Sequence, residues 1–114
     1  MQLLVIVLNR IDYLEELLVA FAKNGVKGAT VLDSTGMAQA ISASNEKRFL
    51  GSLRMLLDNE RQENKTIFTV LEDDKVEDVK QVVHSVLGSF EAPNTGIMFT
   101  VPLSFVEGLY KKQQ

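Results

Sequence analysis

Seven residues near the start of the chain, Gln2 to Leu8, constrain its fold more than any other stretch. All but Gln2 are apolar, and Val5, Ile6 and Val7 are β-branched. That is the composition of a strand covered on both faces or central in a sheet. The run is too short to span a bilayer, lacks a basic leader, and is broken at once by Asn9-Arg10-Ile11-Asp12. It reads as a strand, not as a signal peptide or a membrane helix.

The segments that follow alternate in period. Asp12 and Glu15 have the spacing of a capping box, in which each side chain satisfies an orphan backbone N–H. Leu14, Leu17, Leu18 and Phe21 then recur at helical spacing, and Lys23-Asn24-Gly25 ends the helix with a cation and a glycine able to turn left-handed. Gly28 to Ser34 predicts a second strand closed by Gly36, and Met37 to Ser44 reads as a loop. Phe49, Leu50, Leu53, Leu56 and Leu57 share one helical face between residues 46 and 59. Thr66 to Leu71 predicts a third strand. Asp73 and Asp74 sit at the positive end of a helix dipole, ahead of a stripe formed by Val76, Val79, Val82, Val83 and Val86. Gly88 closes that helix, Pro93-Asn94-Thr95-Gly96 is a turn signature, and Ile97 to Val101 is a fourth strand stopped by Pro102.

This order specifies an α+β chain, a ferredoxin-like βαββαβ sandwich with an inserted helix between strands 2 and 3. Its 114 residues suit a single domain, 1–114, with the insertion at 38–64. Two helices cover one sheet face, and the strands are too apolar for the other face to stay wet, so subunits are expected to pack through it.

Composition narrows the function. Twelve basic against fifteen acidic residues leave a net charge of −3, with no excess of cations to neutralise nucleic-acid phosphates. The absence of cysteine removes disulfides, thiolate metal sites and cysteine nucleophiles, and suits the cytoplasm. His84, the single histidine, reads as a solvated helix residue, and Asp73 with Asp74 as helix-start electrostatics. No catalytic or metal-ligating set emerges, and the chain reads as non-enzymatic. The turns at Gly36 and at Asn94-Thr95-Gly96 are binding candidates, because backbone donors gather at the ends of elements. The Phe49–Leu57 stripe is a candidate partner surface.

The same residues carry a family likeness. Arg10 to Glu16, then Asn24-Gly25-Val26-Lys27-Gly28-Ala29-Thr30-Val31, then Ile67 to Glu77, and finally Thr95 to Pro102, resemble in order the P-II nitrogen-regulatory and P-II-like signal-transduction proteins. That resemblance implies a cytoplasmic homotrimer with nucleotide sites in the clefts between subunits. It also implies regulation of a membrane transporter or an enzyme by protein contact. Matched residue by residue, the cleft comprises Gly28, Ala29, Thr30, Gly36, Met37, Ala38, Val70, Asn94, Thr95 and Gly96. The chain departs from the family at Ala38 and Ala40, which stand for a glycine and a glutamine, and at Ile97, which stands for a phosphate-binding lysine. Gly108 and Tyr110 stand for a basic pair. Without those cations the expected cofactor is an adenine nucleotide, AMP or ADP in preference to ATP. Two other readings use the same scaffold: a CutA-type trimeric metal-tolerance protein, and a small acylphosphatase-like enzyme built on Asn9 and Arg10.

Overall fold

The computed structural model describes residues 1–37, 40 and 64–109. Strand β1 spans Gln2–Leu8, helix α1 Leu14–Lys23, β2 Thr30–Ser34, β3 Asn64–Leu71, helix α2 Val76–Leu87 and β4 Gly96–Pro102. The four strands form one sheet in the order β2-β3-β1-β4, and every adjacent pair is antiparallel. The architecture is α+β and compatible with a small ferredoxin-like fold. The helix expected at 46–59, with Phe49, Leu50, Leu53, Leu56 and Leu57, falls outside the described residues, as does Ala38. No helix among the described residues is long and apolar enough to cross a membrane.

Side chains alternate across a strand, so one set of β1 and β3 residues faces the helices. Leu4, Ile6, Leu8, Ile67 and Leu71 are buried there against Leu17 and Phe21 of α1 and Val76, Val79, Val83 and Leu87 of α2. The valine stripe thus becomes the inner face of α2, with Val82 and Val86 packed at its margin. Central β1 is flanked by a strand on each side, which is why its sequence is a continuous apolar run.

Both helices begin later than their sequence signals. A 3-10 turn, Ile11–Tyr13, precedes α1, and a second, Asp73–Lys75, precedes α2. The expected capping box is therefore corrected: Tyr13, not Asp12, caps α1, and it makes no capping side-chain hydrogen bond. The 3-10 turn takes up the residues on which the Asp12–Glu15 spacing depended. The C-terminus of α1 follows expectation. Gly25 adopts φ +86°, its N–H donates to the Ala22 carbonyl at 3.3 Å, and the Val26 N–H donates to the Phe21 carbonyl at 3.0 Å. This pair of bonds is the Schellman arrangement. Strand β2 starts at Thr30, two residues later than the sequence suggests, because the Gly28 carbonyl accepts the Thr69 hydroxyl at 2.7 Å. Met37 and Ala40 are helical, with the Ala40 N–H donating to the Gly36 carbonyl at 2.9 Å, where a loop was expected.

Arg10 ties β1 to α2. Its guanidinium stacks 4.2 Å from the centre of the Tyr13 ring and donates through Nη1 to the Leu87 carbonyl at 3.0 Å, at the negative end of the α2 dipole. Arg10→Ala is expected to lower unfolding free energy by about 1–2 kcal/mol, the loss of one charge-assisted hydrogen bond and a partly exposed cation–π contact. Urea denaturation measures it, and Arg10→Lys should recover less than half.

The Met1 ammonium lies 3.1 Å from the Asp73 carboxylate, and hydrogen bonding and charge from that ammonium hold the Asp73 pKa below its ordinary value. The sign follows from linkage: this exposed pair favours the folded state above the ordinary carboxylate range and loses its effect as pH falls through the lowered value. Titrating Asp73 by carbon-detected NMR should show the depressed midpoint, and acetylating the α-amine should restore the ordinary one.

Candidate functional site

The α1–β2 connection and the end of β3 enclose a groove of about 970 Å³. One wall is the 24–30 loop, which the Schellman turn directs away from α1 and the Thr69–Gly28 bond fastens to β3. The opposite wall is Phe68 to Glu72 with Asp74 and Lys75 of the 3-10 turn, and Leu109 of the tail completes the lining. Lys75 Nζ lies 3.6 Å from where a side chain at Gly25 would begin, an ordinary contact distance, so it is the left-handed φ of +86° that favours glycine there. The lining includes apolar Phe68 and Val70 and the charged residues Lys27, Lys75, Glu72 and Asp74. Such a surface suits a ligand with a flat apolar part and an anionic end, positioned by lysines and by backbone brought close at Gly28.

Of the residues singled out by sequence, Gly28, Ala29, Thr30 and Val70 line this groove together. Gly36 and Met37 lie at the other end of β2, a strand of five residues and so roughly 17 Å long. Asn94, Thr95 and Gly96 lie at that same far end of the sheet but on its opposite edge, three strand spacings or about 14 Å from β2. Their role in the fold is well defined. Asn94 has φ +62°, Gly96 has φ +130°, and Thr95 is buried, with its hydroxyl donating to the Ala92 carbonyl at 3.0 Å and its carbonyl accepting the Asn9 N–H at 3.1 Å. Within one chain the expected cleft residues therefore form separate groups at two ends of the sheet.

Lys27, Glu72, Lys75 and Leu109 line the groove without having been singled out, and Asp74, read from sequence only as helix-start electrostatics, lines it too. Lys27 sits inside the Asn24–Val31 segment and could have been found from it; Leu109 carries no local signal at all. His84 is exposed on α2, its ring 5.9 Å edge-on from Phe90. Among the described residues, no three His, Cys, Asp or Glu side chains group as metal ligands.

The second feature is the sheet face opposite the helices. Three rows cross it: Ile97, Val7, Thr66 and Leu32; Phe99, Val5, Phe68 and Thr30; Val101, Leu3 and Val70. Leu32, Ile97, Phe99 and Val101 are 45%, 57%, 44% and 40% exposed. The polar side chains of these rows gather toward the β2 corner, where the Ser34 hydroxyl bonds Asn64 and lies 2.8 Å from the Thr66 hydroxyl. Strand β4 also forms an edge with no charged residue from Gly96 to Pro102, so it lacks the charges that usually protect an edge strand.

No protein-family model matches the chain, and neither does any curated protein. Among the described residues, fold and groove define a small α+β protein with a ligand-sized groove and an apolar sheet face that no described element covers.

Proposed function

We propose that the chain is a non-catalytic, P-II-like signalling protein. It binds a small effector in the 24–30 groove and regulates a transporter or an enzyme through protein contact. One observation carries this reading: residues 24–30, part of one of the segments that together resemble the family, line the groove, with Gly28, Ala29, Thr30 and Val70 meeting there. The ligand it favours is an adenine mono- or diphosphate. Two lysines in the lining can meet one or two phosphates, while Glu72 and Asp74 in the same lining oppose the further charge of a triphosphate. Copies of the chain associate through the open sheet face, as a homotrimer by the family likeness, and this brings groups from different ends of neighbouring sheets together.

Isothermal titration with AMP, ADP, ATP and cyclic nucleotides tests the sensor role. ADP or AMP should bind more tightly than ATP, and Lys75→Ala should weaken ADP by about tenfold, the loss of one charge-assisted contact. No heat with any member of the panel would remove the effector from the proposal. The acylphosphatase-like alternative is disfavoured by the position of Arg10, whose guanidinium is occupied by Tyr13 and the Leu87 carbonyl instead of facing a loop.

A further inference from the structure

Asn24-Gly25, at the end of α1, is the one Asn-Gly pair in the sequence. Such a pair is labile in an extended chain, because glycine has no side chain to shield its backbone nitrogen from the preceding amide carbon. Gly25 N bonds to Asn24 Cγ, the Cγ–Nδ2 bond breaks, and the nitrogen leaves as ammonia with the proton given up by the Gly25 N–H. Water then opens the cyclic imide. Addition at Cγ leaves an aspartate. Addition at the backbone carbonyl carbon leaves an isoaspartate, in which the main chain runs through the side chain and gains a methylene.

Both residues are exposed, so water reaches them, yet the folded turn opposes ring closure in three ways. Closure requires Gly25 N to lie on the Cβ side of the Asn24 Cα–C bond. At a ψ of 21° it lies instead close to the Asn24 backbone nitrogen, away from Cβ. The attacking N–H is engaged, donating to the Ala22 carbonyl at 3.3 Å. The leaving amide is engaged as well: Asn24 Nδ2 donates to the Ala20 carbonyl at 2.8 Å, which draws the side chain back along α1.

We propose that Asn24 is a deamidation site guarded by the turn that ends α1: the intact turn blocks the reaction, and unfolding of the turn releases it. The change disfavours its own reversal in structure. A carboxylate cannot donate to the Ala20 carbonyl and brings negative charge to the negative end of the α1 dipole. The added methylene of isoaspartate shifts Gly25 and Val26 out of register with the Ala22 and Phe21 carbonyls that the Schellman bonds require. A chain that has reacted therefore rebuilds this turn poorly. The inference is independent of the effector reading, since nothing in it needs an occupied groove.

Incubating the full chain in mildly alkaline buffer, with and without guanidinium chloride sufficient to unfold it, and mapping its peptides by mass spectrometry tests the proposal. The unfolded chain should accumulate aspartate and isoaspartate at position 24, and the folded chain should do so at least about tenfold more slowly, because reaction there waits on local opening. Thr69→Val leaves the reacting pair intact but removes the hydroxyl that fastens the Gly28 carbonyl to β3. It should speed the reaction about threefold in the folded chain, the effect of one lost hydrogen bond, and leave the unfolded rate unchanged. Asn9, Asn45, Asn59, Asn64 and Asn94 each precede a bulkier residue and serve as internal references, reacting more slowly than Asn24 once the chain is unfolded. Equal rates at Asn24 in the folded and unfolded chain would overturn the guard. An Asn24 that survives in denaturant as long as the reference asparagines would overturn the site.

Discussion

Gly96→Ala is expected to destabilise the protein by roughly 3–5 kcal/mol, combining a backbone held in a glycine-only region with a collision against a neighbouring strand. Gly96 has φ +130°, and a Cβ built on it would stand 2.0 Å from the Val7 carbonyl oxygen and 3.1 Å from its carbonyl carbon. Both are backbone atoms of the central strand, so no rotamer change relieves the contact. Any relaxation has to move β4 away from β1, along a ladder that runs from Gly96–Leu8 to Pro102–Gln2. A domain of this size has a total stability of only about 5–15 kcal/mol, so the variant should have a strongly lowered urea midpoint or accumulate unfolded. Gly28→Ala makes the contrast: nothing lies within 4 Å of its Cβ position and its φ is not in the left-handed range, so a change within about 1 kcal/mol is expected. Equal destabilisation in the two variants would contradict this account of the β4 turn.

On the proposed assembly through the sheet face, Phe99→Asp is expected to leave the chain monomeric with its fold intact. Phe99 lies at the middle of β4, in the row that continues through Val5 and Phe68, and remains 44% exposed in the single chain. Covering it with another copy removes a large aromatic surface from water. Aromatic anchors at the centre of an interface contribute roughly 2–4 kcal/mol, and burying an unpaired carboxylate in their place adds a further penalty. The dissociation constant should therefore rise by a factor of about a thousand or more. The monomer should keep its circular dichroism, because the helix-facing core of Leu4, Ile6, Ile67, Phe21 and Val83 is untouched. Val19→Asp supplies the control: that residue is 49% exposed on α1, on the helical side, and its replacement should leave assembly unchanged.

These two positions also show what could be read from sequence. The bounds of β1 and the inner face of α2 were legible, because an uninterrupted β-branched run and a valine stripe have few other physical solutions. The apolar character of the sheet face opposite the described helices followed from the same reasoning, since Leu3, Val5 and Val7 alternate with the core residues of β1. Starts of elements were less legible. A 3-10 turn of three residues satisfies early backbone groups before either α-helix begins, and nothing in the Asp12–Glu15 spacing distinguishes that entry from a side-chain cap. The lining of the groove was legible in part. Gly28 to Thr30 and Val70 converge because β2 pairs with β3, a neighbour relation implied by the alternation of elements. Gly36 and Asn94 to Gly96 looked equivalent in sequence as turn residues, yet the strand order places them on opposite edges. Leu109 reaches the groove through the short tail after β4, and only the path of the backbone reveals it.

Sedimentation velocity over a range of protein concentrations tests most directly whether the open sheet face is an assembly surface. The wild-type chain should sediment as a trimer at micromolar concentration, and the Phe99→Asp variant as a single chain. A wild-type protein that remains monomeric at tens of micromolar, with the sheet face bearing Leu32, Ile97, Phe99 and Val101 left in water, would contradict assembly through that face.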